Sequence, residues 1–167
     1  ADDAIAISAP GRAPLSDRGL RALLAATMAS LNAAGLGRNH RVAIVLPNGP
    51  EMATCFLACA CAATSAPLNP AYRGDEFEFY LDDLQAKALI VERASASPAV
   101  EAAKKLGVQV IELAVADGTA AGQFSLSAAA ATPCARGGPA HSEDVAMVLH
   151  TSGTTSRPKR VPLSVAN

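Results

Sequence analysis

The segment Thr151-Ser-Gly-Thr-Thr-Ser-Arg-Pro-Lys-Arg160 gathers hydroxyls, backbone freedom and cationic charge into one short stretch. Hydroxyls at Thr151, Ser152, Thr154, Thr155 and Ser156, together with free backbone N–H groups, suit phosphate oxygens, because each donates a hydrogen bond. Gly153 lets the main chain approach a ligand closely, and Lys159 offers a mobile point charge for a phosphate. Pro158 stiffens the exit before that lysine. The segment is not a Walker A loop, which needs two glycines at fixed spacing, then Lys and Ser or Thr, at the start of a helix. Gly153 has no second glycine five residues on, and Val161-Pro-Leu163 reads as a strand. Composition alone leaves two readings open: a phosphate-binding loop between two strands, and a polar hairpin loop without a ligand.

The rest of the chain supplies elements that could position such a loop. Ser16 is a good N-cap, and Leu20, Leu23, Leu24, Met28 and Leu31 recur at helical spacing until Gly35 and Gly37 stop the run. Arg41–Leu46 is a β-branched run closed by the turn signal Pro47-Asn48-Gly49. Its lack of alternation predicts a parallel strand covered on both faces. Helices are expected over Pro50–Ala63, Asp75–Gln85 and Ala99–Leu106, with strands at Ala88–Val91, Val108–Ile111 and Asp144–Leu149. Pro67–Pro70 reads as an irregular connection. Ala114–Ser142 reads as a long surface loop, with a short helical turn at Ser127–Ala131. Strands alternating with helices predict an α/β fold: a mostly parallel sheet with flanking helices, built from right-handed crossovers.

Composition bounds the function. The 167 residues fit one ordinary domain, large enough to bury a core without disulfides. Half the residues are hydrophobic and 17% are charged, which excludes a disordered chain. The formal charge is −1, with no basic stripe, which argues against a nucleic-acid binder. The longest apolar run, Thr54–Ala63, is shorter than the about 20 residues that span a bilayer. No charged-then-apolar leader opens the chain, and a first residue Ala1 in place of Met reads as a trimmed N-terminus.

Other candidates have plain structural readings. On a helix, Cys55 and Cys59 share a face and Cys61 points elsewhere, so with Cys134 they read as small hydrophobes in a reducing, cytoplasmic compartment, not as metal ligands. His40, His141 and His150 are too far apart for metal-ligand spacing. His150 is read as closing a strand, not as a substrate contact; His40 and His141 are read as surface. Glu76, Glu78, Asp82 and Asp83 read as a solvated helix face, and Tyr72, Phe77, Phe79 and Tyr80 as core packing. Lys104 and Lys105 complement a helix C-terminus.

The stretch LHTSGTTSRPKRVPL resembles the phosphate-binding signature of the adenylate-forming (AMP-binding) superfamily, whose usual form is close to TSGTTGxPKG. Its TSGTTSRPK form followed by VPL is similar to the oxalyl-CoA synthetase-like branch of the acyl-CoA synthetases. Val42–Asn48, Ala66–Tyr72 with Glu76–Tyr80, and Ala102–Val108 resemble the family as well, so the likeness covers nearly the whole chain. The resemblance implies the first subdomain of the large N-terminal domain of an ATP-dependent acyl-CoA ligase, with residues 1–167 its N-terminal part and the remainder of that domain and the C-terminal domain lying beyond. It implies that Thr151, Ser152, Gly153, Thr154, Thr155 and Lys159 bind the ATP phosphates, with Lys159 catalytic by offsetting charge on the leaving pyrophosphate. It implies ATP, Mg²⁺ and coenzyme A as cofactor and co-substrates and a small carboxylate, oxalate favoured, as substrate. Because the adenine, ribose and coenzyme A contacts of relatives come later, the resemblance also implies that this chain alone is inactive. The competing reading is a truncated nucleotide-binding protein or one part of a split enzyme.

Two departures stand out. Ser156 replaces the commoner glycine, which the oxalyl-CoA-like branch tolerates. Arg160 also stands where relatives usually carry glycine. If that position required positive φ, arginine would cost about 1 kcal/mol or more; alternatively it adds a second cation beside Lys159.

Overall fold

The computed structural model describes residues 2–127, 131–151 and 158–167. Among these, the order is β1 (Ile5–Ile7), β2 (Leu15–Ser16), α1 (Asp17–Ala33), β3 (Arg41–Val45), α2 (Pro50–Ala62), β4 (Thr64–Pro67), α3 (Gly74–Leu84), β5 (Ala88–Glu92), α4 (Pro98–Lys105), β6 (Gln109–Ala114), β7 (Ser125–Ser127), β8 (Val145–Thr151) and β9 (Lys159–Ser164). β1 and β2 form a small antiparallel pair; the others make one sheet in the order β7-β6-β5-β3-β4-β8-β9. The five inner strands are parallel, and β7 and β9 close the two ends antiparallel.

Local chemistry sets the helix ends. Ser16 Oγ accepts the Gly19 N–H at 3.2 Å, which caps α1. Its other end is a Schellman turn: Gly35 takes φ +80°, its N–H reaches Asn32 O, and the Leu36 N–H reaches Leu31 O. α2 opens on Pro50, where a missing N–H costs nothing, and α4 opens on Pro98 behind the Ser97 cap.

Strand alternation divides the core into two layers. Val42, Ile44 and Leu46, with Ala88 and Ile90, pack on Leu23 and Leu31 of α1 and Cys55 and Cys59 of α2. Ala43 and Val45, with Leu89 and Val91, pack on Phe77, Leu81 and Leu84 of α3 and Ala99, Ala102 and Ala103 of α4. The expectation of a parallel strand covered on both faces is therefore correct for β3, and β5 is buried in the same way.

Two local expectations need correction, and one feature was not foreseen. Part of the expected irregular connection is strand: β4 runs through Pro67, whose missing N–H is tolerated because it ends the strand. The long loop carries β7, so Ser127 lies in a strand and not in a helical turn; Ala128–Ala130 of that expected turn lie outside the described residues. β1 and β2 were not anticipated, since strands of three and two residues leave no periodicity to read.

Candidate functional site

All the parallel strands end at the same edge of the sheet, and the chemistry-bearing segment leaves from there. At that edge the chain after β3 turns to α2 on one face, while the chain after β4 turns to α3 on the other. Adjacent connections departing to opposite faces make a topological switch point, where open α/β sheets place ligands. β8 lies directly beside β4 and delivers Thr151 to this edge.

β8 and β9 form the arms of an antiparallel hairpin around the hydroxyl-rich segment. The last paired rung is Thr151↔Lys159 and the next is His150↔Arg160. Paired residues of an antiparallel ladder share a face, so the side chains of Thr151 and Lys159 leave the same face from adjacent strands, both exposed. Ser152, Gly153, Thr154 and Thr155, the other expected phosphate contacts, and Ser156 lie outside the described residues.

Successive strand residues alternate between faces, so His150 and Arg160 point away from that pair, toward α3. His150 Nε2 lies 3.0 Å from Asp83 Oδ2. A carboxylate only accepts, so Nε2 carries the proton of this bond. Arg160 Nε is 3.3 Å from the same Oδ2, and Arg160 Nη1 donates to the Asp83 main-chain oxygen at 2.7 Å. The His150 ring meets Tyr80 edge-on at 4.7 Å, and Tyr80 stacks on Tyr72 at the same centroid distance.

These contacts settle the two options left open for Arg160. It sits in a regular strand and is not among the positive-φ residues, so it is not strained. Nor does it stand beside Lys159, because the two side chains leave opposite faces. The acidic residues of α3 are likewise not all a solvated face. Asp83 is engaged by the hairpin and Glu78 by Lys105, at 2.6 Å. His150 is structural, as expected, with a side chain only 7% exposed. Phe77 is fully buried and Tyr72 and Tyr80 pack, half-buried, against the same core layer, whereas Phe79 is exposed, contrary to the core reading.

The base of the hairpin is fixed by a second polar cluster. Asp144 accepts hydrogen bonds from the His141 N–H at 2.8 Å and from Asn39 Nδ2 at 2.7 Å, and faces Arg38 at 3.5 Å. The bond from the His141 backbone, with help from Asn39 and Arg38, holds the Asp144 carboxyl below the usual carboxylate range, against the opposing effect of desolvation. Asn39 Oδ1 accepts the Val145 N–H, and Thr64 Oγ1 donates to Val145 O. Asp144, with the His141 backbone, therefore belongs to the frame of β8; sequence offered no signal for this, because the Asp144 partners Arg38 and Asn39 lie 106 and 105 residues away in the chain.

The cysteines do not converge. Cys55 and Cys59 are buried and Cys61 is exposed. A hydrogen bond with Cys55, reinforced by burial, pushes the Cys59 thiol well above its usual range, so it stays protonated and unreactive. Among the described residues, no group of three or more His, Cys, Asp or Glu side chains could hold a metal ion, and no helix is long and apolar enough to cross a membrane.

Comparison with known proteins agrees with this geometry. The chain is 39% identical to an oxalate–CoA ligase of Arabidopsis thaliana over 99% of its own length and 33% of that protein. It is 37% identical to an oxalate–CoA ligase of Saccharomyces cerevisiae, covering 75% of the chain and 27% of the yeast protein. It thus spans between a quarter and a third of the length of these relatives. Apo MatB from Rhodopseudomonas palustris superposes with a TM-score of 0.76 at 25% identity, over 98% of this chain and 32% of that one. A sequence profile of the family described as AMP-binding enzyme matches residues 2–167, and the chain belongs to that family.

Proposed function

We propose that residues 1–167 are the N-terminal part of the AMP-binding domain of an ATP-dependent acyl-CoA ligase. The enzyme would activate a carboxylate as an acyl-adenylate, releasing pyrophosphate, and then pass the acyl group to the thiol of coenzyme A, releasing AMP. The observation that carries this reading is the Thr151↔Lys159 rung at the carboxyl edge of the sheet, flanking the TSGTTSRPK motif. Oxalate is the favoured substrate, supported by the two oxalate–CoA ligases among the relatives.

In this reading Thr151, Ser152, Thr154 and Thr155 donate to the β- and γ-phosphate oxygens, and Gly153 lets the backbone N–H groups close in. Lys159 acts on the charge that develops on the leaving pyrophosphate. A donor fixed in advance at a site of developing charge lowers the barrier without reorganisation during the reaction. Thr151 and Lys159 are held by opposite arms of one rung, which fixes their separation through backbone hydrogen bonds. Mg²⁺ enters with ATP as part of the substrate, and it neutralises the phosphates. Coenzyme A, the adenine and the ribose would meet residues beyond this span.

The test is ATP- and carboxylate-dependent pyrophosphate release by the full-length gene product, with oxalate set against malonate, a long-chain fatty acid and an aromatic acid. Oxalate should support the highest kcat/KM, and Lys159→Met should lower kcat by about 10²- to 10³-fold, the usual cost of one preorganised donor. Absence of turnover with every carboxylate would remove the ligase reading. The 167-residue span alone, between a quarter and a third of these relatives' length, should release no pyrophosphate above blank.

A further inference from the structure

We propose that Arg160, acting with His150 and Asp83, is a positioning residue: it fixes the β8–β9 hairpin to the C-terminus of α3 and thereby sets Thr151 and Lys159 for the ATP phosphates. The second half of this statement rests on the functional reading above; the first half stands on the geometry alone.

The argument begins with the end of α3. The last four carbonyls of a helix have no partner within it. In α3 these are Leu81, Asp82, Asp83 and Leu84. The Gln85 and Ala86 N–H groups satisfy the first two, at Asp82 O and Leu81 O, in a turn where Gln85 adopts φ +50°. The remaining two are satisfied by arginines from the sheet. Arg160 Nη1 donates to Asp83 O at 2.7 Å, and Arg41 Nη1 donates to Leu84 O at 3.0 Å. α3 has no basic residue of its own in its last turn. Arg160 therefore supplies, from another element, the cation that a helix C-terminus favours.

Asp83 adds a second attachment at the same place. Its Oδ2 receives His150 from β8 and Arg160 from β9, so one carboxylate ties both arms of the hairpin. These arms are the rung next to Thr151↔Lys159, one residue away on each strand. The His150 side chain is only 7% exposed, with Tyr80 edge-on to its ring and Tyr72 stacked behind Tyr80. β8 registers with β4 at Ser65↔Met147, and β4 ends at Pro67, so His150 and Thr151 lie past the last residue of that neighbouring strand. An ordinary exposed ion pair would touch one element at one point. This cluster joins two strands to a helix end through both main-chain and side-chain groups.

The experiment uses the full-length gene product with Arg160→Gly, Arg160→Lys, Asp83→Asn and the double variant Arg160→Gly/Asp83→Asn. Two measurements are made: amide hydrogen exchange across 145–151 and 159–164, and the dissociation constant of Mg·ATP by calorimetry. Arg160→Gly should speed exchange in both hairpin arms, leave β3 and β5 unchanged, and weaken Mg·ATP binding about tenfold, as loss of a partly exposed charge-assisted bond implies. Arg160→Lys should recover part of the affinity, since it restores charge without the planar fork. The double variant should be no worse than the more affected single variant, because both substitutions remove one shared cluster. Unchanged exchange in the arms, or faster exchange spread evenly over the whole sheet, would overturn the positioning role. Faster exchange confined to the arms with unchanged Mg·ATP affinity would overturn the link to phosphate binding. If the wild type binds no Mg·ATP, the functional reading fails, while the exchange measurement still decides whether Arg160 holds the hairpin.

Discussion

The centre of the sheet and its β8–β9 end are built by different physics. Around β3 and β5, the strand residues from Val42 to Leu46 and from Ala88 to Val91 are all buried, and apolar side chains fill both faces. β8 has one buried hydrophobic residue, Val148, and β9 has none. What holds the hairpin is polar: the Asp144 cluster at its base and the Asp83 cluster near its tip. Burial is non-directional and tolerates small shifts, whereas hydrogen bonds fix angle and distance. A scaffold suits the first and a site that must place an amine beside a phosphate suits the second.

The largest effect should come from breaking the apolar side of this comparison. Phe77 is fully buried between α3 and the sheet. Phe77→Ala should cost about 3–5 kcal/mol, the usual range for emptying an aromatic site in a core. Denaturant unfolding of the full-length protein, read at the transition that includes this domain, measures it. A loss below about 1 kcal/mol would mean that the layer between α3 and the sheet is not a packed core.

The same division governs what the sequence could reveal. The parallel core was legible because burial on both faces leaves continuous apolar runs such as Val42–Leu46, and because Ser16, Pro50 and Gly35 mark helix ends through local geometry. The motif was legible because its hydroxyls, glycine and lysine are contiguous. The polar frame was not legible. Asp83 looks like any acid on an amphipathic helix until β8 and β9 are laid beside it, and His150 is 67 residues away from it. Arg160 left two readings open, backbone strain or a second cation, because the sequence shows its neighbour Lys159 but not the helix end it caps. Edge strands as short as β7 and β2 owe their existence to a partner strand, not to their own pattern.

A smaller effect should appear when the polar side is broken by acid. Asp144 titrates below the usual carboxylate range because of the His141 N–H bond first, then Asn39 and Arg38. A carboxyl whose folded pKa lies below its unfolded value, about 3.9 for Asp, contributes stability above that value and loses it as pH falls through the folded pKa. The unfolding midpoint of the wild type should therefore fall more steeply below about pH 4 than that of Asp144→Asn. Glu143 next to it is also held low, first by its backbone hydrogen bond and then by Ser142, and it titrates in both proteins. Parallel midpoint curves for the two proteins between pH 7 and pH 3 would show that the base of the hairpin does not depend on this carboxylate.

The smallest effect sharpens the comparison, because it concerns an ion pair of better distance in the wrong place to matter. Lys105 Nζ lies 2.6 Å from Glu78 Oε2, joining α4 to α3. Arg160 Nε lies farther from Asp83, at 3.3 Å. Distance alone would rank the first pair higher. But α3 and α4 are already fixed by Phe77, Leu81, Ala99 and Ala103, all buried beneath that pair. Lys105 is mostly exposed, so holding two long side chains in one geometry offsets most of the Coulomb gain in water. Glu78→Gln should change stability by less than about 1 kcal/mol, and added salt should change it little further. Arg160→Gly should also barely move the unfolding midpoint, yet it alone should alter exchange in the hairpin arms. If Glu78→Gln disturbed local exchange as much as Arg160→Gly does, the polar contacts of the two regions would be equivalent, and the distinction between a packed scaffold and a hydrogen-bonded site would not hold.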